Sequence, residues 1–148
     1  MKKTTTFLLV SALLLSVFTV GANAAYLGKE KKIYYSGWYR MLTGGTGTSR
    51  STVYDKVRVC AYSRNAHNNS NWKLSTISAY ATLHYYSSST RRWYHYKTHA
   101  VRYNNNSTVC AQQWSSYKWR NHRGVGNQTF KYGTSSWYLP TQYVNGGI

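Results

Sequence analysis

The chain has 148 residues, with 19 Lys and Arg against 2 Asp and Glu, for a formal charge of +17 at pH 7. With Glu30 and Asp55 as its only carboxylate side chains, it is poorly equipped for chemistry that needs a pair of acids, such as glycoside hydrolysis. The charge also exceeds the magnitude of about 2–8 that solubility requires. An anionic partner is therefore expected.

Met1-Lys2-Lys3, the apolar run Phe7 to Val20 and the small residues Ala22-Asn23-Ala24 read as a bacterial secretory signal peptide spanning residues 1–24. The run is shorter than the roughly 20 residues needed to cross a bilayer. The expectation is a single exported, extracellular domain over residues 25–148, a length that supports one core. In an oxidising compartment Cys60 and Cys110, the only cysteines, are expected to pair.

After the leader, Ala25 to Lys32 reads as a basic, mobile segment and Ile33 to Arg40 as a first strand. Thr43-Gly44-Gly45-Thr46-Gly47-Thr48-Ser49 reads as a flexible connection, because a phosphate-binding loop would end in Gly-Lys-Ser/Thr and open a helix. Ser51 to Arg64 alternates as a strand, with Val53, Val57, Val59 and Ala61 on one side and Tyr54, Lys56, Arg58, Cys60 and Tyr62 on the other. The polar run Asn65 to Asn71 is a turn. Within it, Arg64-Asn65-Ala66-His67 followed by Trp72 resembles a short segment of the streptavidin family. The rest of the chain does not follow that spacing, and no biotin-binding residue is carried over.

Leu74 to Arg102 holds two alternating runs around Ser87-Ser88-Ser89-Thr90, the pattern of a β-hairpin. With that tetrad as the loop, Tyr86 pairs with Arg91, His84 with Trp93, Thr82 with His95 and Tyr80 with Lys97. One face then carries Ile77, Ala79, Ala81, Leu83 and Tyr85 opposite Tyr94, Tyr96, Thr98 and Ala100, and is expected to be buried. The other carries Tyr80 and His84 opposite Trp93, His95, Lys97 and His99.

Asn104 to Ser107 reads as a turn, Thr108 to Trp114 as a strand, Gly126-Asn127 as a turn, Gln128 to Tyr132 as a short strand and Gln142 to Val144 as a last one. Helical periodicity is not sustained anywhere, and Thr, Tyr, Val and Trp dominate the runs. The fold expected is all-β, a small antiparallel sandwich or barrel with one disulfide and a tyrosine-rich core.

Five histidines (His67, His84, His95, His99 and His122) could serve a metal or a His-based phosphodiesterase, yet no spacing singles out a ligand set. Metal, cofactor and catalytic residues are accordingly expected to be none, and the protein is read as a binding protein, not an enzyme. Rings interleaved with cations are the strongest signal. The expected binding residues are Tyr80, His84, Trp93, His95, Lys97, His99, Trp114, Tyr117, Lys118, Trp119, Arg120 and Arg123. Rings stack on sugars or bases, and cations attract phosphate. The expected partner is an anionic component of a cell envelope (teichoic acid, anionic lipid or glycan), with nucleic acid a lesser candidate. The expected function is a bacteriocin-like antimicrobial or toxin-type protein. The alternatives are a non-toxic cell-wall or polysaccharide binding module and a small extracellular nuclease.

Overall fold

The computed structural model describes residues 25–50, 54–115 and 121–146. The segment 1–24 expected to be a leader, Trp119 and its immediate neighbours lie outside the described residues. Nine strands make up the described chain: β1 (Ala25–Tyr35), β2 (Trp38–Arg50), β3 (Asp55–Asn65), β4 (Leu74–Ser87), β5 (Arg92–Asn106), β6 (Thr108–Trp114), β7 (His122–Tyr132), β8 (Ser135–Tyr138) and β9 (Gln142–Gly146). They form two antiparallel sheets, ordered β1-β2-β3-β6 and β5-β4-β7-β8, with β9 sharing the far edge of β7 with β8. The sheets pack face to face as a β-sandwich.

The core is mainly aliphatic. Leu42, Val57, Val59 and Ala61 from one sheet meet Ile77, Ala79, Ala81, Leu83 and Phe130 from the other. Tyrosine contributes less than expected: Tyr34, Tyr39, Tyr94, Tyr103, Tyr138 and Tyr143 are all exposed. A polar layer lies between the sheets as well. Thr46 Oγ1 donates to Gln142 Oε1 at 2.7 Å, and the carboxamides of Gln128 and Gln142 bond to each other at 3.2 and 3.3 Å. These bonds offset the desolvation cost of the Thr46, Gln128 and Gln142 side chains.

Two segments read as loops are strands. Ala25 to Lys32 is most of β1, and Thr43 to Ser49 is the buried middle of β2. The glycines there are packing residues. A Cβ at Gly45 would meet the Tyr26 ring, and one at Gly44 would meet Leu139 and Gln128. The actual turn is Ser36-Gly37, with φ of 51° and 80°, the two-residue hairpin geometry that glycine favours. Gly126-Asn127 is likewise no turn, because β7 runs straight through it with Gly126 pairing Ala81 and Gln142.

Cys60 and Cys110 face each other across β3 and β6 and are bonded. Such a bond belongs to an oxidising environment, outside a reducing cytoplasm.

The hairpin register differs from the expectation. The loop is Ser88 to Arg91, so Tyr86 pairs with Trp93, Tyr85 with Tyr94 and His84 with His95. A bulge at Tyr96 then shifts the register, and Leu83 pairs with Lys97, Thr82 with Thr98 and Tyr80 with Ala100. A bulge inverts the alternation of the strand that carries it. Tyr94, Thr98 and Ala100 are exposed and Tyr96 is half-buried, in place of the buried row expected, because β5 is the edge of its sheet.

Residues 64–72, the segment resembling streptavidin, close the end of β3. Arg64 bridges to Asn71, Asn69 bonds the Arg64 guanidinium, and Trp72 packs against Tyr35, Tyr132 and Trp137.

Candidate functional site

On the outer face of the second sheet, β4 presents Tyr80, Thr82, His84 and Tyr86. β5 adds Trp93 and His95 beyond the bulge, β7 adds Arg123 and β9 adds Tyr143. Pairing across three strands brings these residues together. His84 lies opposite His95 on one side and Arg123 on the other, so Arg123 reaches over His84 toward Trp93.

The Arg123 guanidinium carbon lies 4.6 Å from the Trp93 ring centre and 5.0 Å from the Tyr143 ring centre. Its Nε and Nη2 donate to His84 Nδ1 at 3.3 and 3.2 Å. A guanidinium always donates, so Nδ1 must accept and the His84 proton sits on Nε2. Burial lowers the His84 pKa, and the neighbouring Arg123 and His95 lower it further. His84 is therefore a neutral support that orients the arginine. A guanidinium has five N–H donors, which leaves others for a ligand.

The two histidines are closer than the diagonal placement expected from sequence, with ring centres 5.9 Å apart. His95 Nε2 bonds Thr98 Oγ1 at 2.9 Å, and Thr98 bonds Thr82 at 2.8 Å. Tyr80 shares this face but sits a full turn of the pleat away, paired with Ala100 and Asn127.

Lys97 and His99 leave this face altogether. The bulge at Tyr96 turns them to the opposite side, where they line a groove with Trp114. Trp114 is itself exposed. Lys56 Nζ lies 5.1 Å from its ring centre and Tyr54 meets it edge-on at 6.0 Å. Tyr117, Lys118, Trp119 and Arg120 lie outside the described residues.

His122 is buried and belongs to no surface. Asp55, fully buried, takes Arg50 Nε at 2.7 Å, while Arg50 Nη2 donates to His122 Nδ1 at 3.0 Å. Burial, with Arg50 beside it, pushes the His122 pKa down to about 4 against the pull of Asp55. Among the described residues, no three His, Cys, Asp or Glu side chains converge as a metal-holding group.

Two features escaped sequence reasoning. Tyr143 joins the arginine site from a strand distant in sequence, and nothing local marks it. The second feature is an aromatic patch at the opposite end of the sandwich. There Tyr34 and Tyr39 pack edge-on at 5.1 Å, Lys32 lies 4.2 Å over Tyr39, and Trp38 lies against His67 at 5.0 Å. The aromatic pairs flanking Ser36-Gly37 could have revealed it, had that dipeptide been read as a turn.

No protein-family model matches the chain, and neither a curated protein nor a solved structure matches it.

Proposed function

We propose that this is a secreted, cationic β-sandwich that binds an anionic cell surface and acts as a bacteriocin-like antimicrobial or toxin-type protein. The observation that carries the reading is where the two carboxylates are. Asp55 is committed to Arg50 inside the fold, and Glu30 pairs with Arg64 at 3.4 Å and accepts from Thr43. Two acids held this way offset only a small part of nineteen cations.

Arg123 is then a cation held between two rings with no acid beside it. A fixed cation of this kind gains when a phosphate or carboxylate docks, because its orientation is already set by Trp93, Tyr143 and His84. Long-range attraction concentrates the protein at a negative envelope, and the rings and guanidinium make the short-range contact. The role is binding, not turnover.

The test is attachment of the mature protein to intact bacterial cells by wild type and by Trp93→Ala with Arg123→Ala. The double variant is expected to stay folded and to lose attachment. Normal attachment by the folded double variant would remove this face from the account. A second reading, a non-toxic wall or polysaccharide binding module, is favoured by the exposed Trp114 in its groove. Attachment that survives high salt and leaves cells unharmed would select it, since stacking is screened less than charge.

A further inference from the structure

Among the described residues, β5 and β6 are the end strands of opposite sheets, and they lie against each other on one side of the sandwich. A groove of about 770 Å³ runs between them, a size typical of ligand clefts. Lys97, His99 and Val101 come from β5, and Cys110, Gln112 and Trp114 from β6. The Tyr96 bulge creates this lining, because without it Lys97 and His99 would point to the other face of the sheet.

The groove has a distinct chemistry. Trp114 provides one exposed aromatic platform, with 53 % of its surface open. Tyr54 stands at 84° to it, so the two rings do not make the series of parallel platforms on which successive bases stack. Gln112 supplies a carboxamide that can both donate and accept, which suits hydroxyl groups. Lys97, and Lys56 beside Trp114, supply positive charge, and neither Glu30 nor Asp55 lines the groove. A ring for the apolar face of a sugar, an amide for its hydroxyls and ammonium groups for an anion form one complementary set.

We infer that the β5–β6 groove binds an acidic saccharide, a sugar or polyol chain carrying carboxylate or phosphate. This inference deepens the envelope-binding reading by giving the target a chemical class. It uses none of the side chains of the Trp93–Arg123–Tyr143 face, so either site can fail alone.

The test is titration of the intact mature protein with four probes, followed by calorimetry and tryptophan fluorescence. The probes are hexagalacturonate, a glycerol-phosphate oligomer, neutral chitohexaose and oligothymidylate. At least one of the two acidic chains is expected to bind about tenfold or more tightly than chitohexaose. The tighter of the two identifies the anion as carboxylate or phosphate. Trp114→Ala is expected to weaken that binding at least about fivefold, the lower end for loss of a stacking ring. Lys97→Gln should weaken it too. Lys131→Gln, which removes one charge at the other end of the sandwich, should leave it unchanged. Equal binding of neutral and acidic chains, preference for oligothymidylate, or a Trp114→Ala and Lys97→Gln pair that bind as wild type would each overturn the assignment. So would an equal loss in Lys131→Gln, which would reduce the binding to overall charge.

Discussion

Arg123 and Trp93 are not on neighbouring strands, yet the guanidinium carbon of one lies 4.6 Å from the ring centre of the other. β4 runs between them, and its His84 lies under the arginine and fixes it. The strand order β5-β4-β7 thus assembles one site from three distant stretches of sequence.

That arrangement makes Arg123→Ala a binding variant. The stacked contact contributes roughly 0.5–2 kcal/mol, and the side chain is only half-buried. Affinity for vesicles of anionic lipid or for isolated cell walls is expected to fall about 2- to 30-fold. The thermal midpoint should shift by no more than a few degrees, as read by circular dichroism.

Stability should depend on pH through His122. Its folded pKa is depressed to about 4 from an ordinary 6.5, so the unfolded chain takes up the proton first. The contribution is complete above pH about 6.5 and is lost as pH falls toward 4. The loss is on the order of 3 kcal/mol at most, and the half-buried His84, also depressed, acts in the same direction. Urea midpoints at pH 7.5 and 4.5 read it. A midpoint that holds constant or rises on acidification would contradict the assignment of His122 as buried and neutral.

Asp55→Asn should be among the most damaging single changes. It strands Arg50, whose side chain is buried with Asp55, and breaking a buried pair from one side costs about 3–5 kcal/mol. Equilibrium unfolding of the purified variant measures this directly.

Two of the tight glycines should differ in cost. A Cβ at Gly126 would overlap Thr46 Oγ1 outright, and Thr46 is fully buried and bonded to Gln142. Gly126→Ala is expected to cost roughly 2–3 kcal/mol or more. At Gly45 the obstacle is the Tyr26 ring, on the outer face of the first strand, which can swing aside. Gly45→Ala should therefore cost clearly less, and paired denaturant curves compare the two.

The sandwich class was legible because alternation and the cysteine pair are local signals. β4 shows this best: Ile77, Ala79, Ala81 and Leu83 are the buried row that their spacing implied. The hairpin partner was misread because a bulge has no composition of its own. One extra residue in the strand, Tyr96, is enough to move Lys97 and His99 to a different site. Gly44, Gly45 and Gly47 were read as loop residues since glycine weakens strands. In the fold Gly44 and Gly45 are places where Leu139, Gln128 and Tyr26 fill the missing side chains. Trp93, His84, His95 and Arg123 were chosen for ring and charge, and the sheet does bring them together. Tyr143 was invisible because only tertiary pairing of β9 with β7 places it there.

The most direct test of the central claim is attachment of the mature protein to intact bacterial cells across a salt series, with viability read in parallel. The account predicts attachment that falls steeply as salt rises from about 0.05 to 0.5 M, with viability lost where the protein is bound. Absence of attachment at every salt concentration would contradict it.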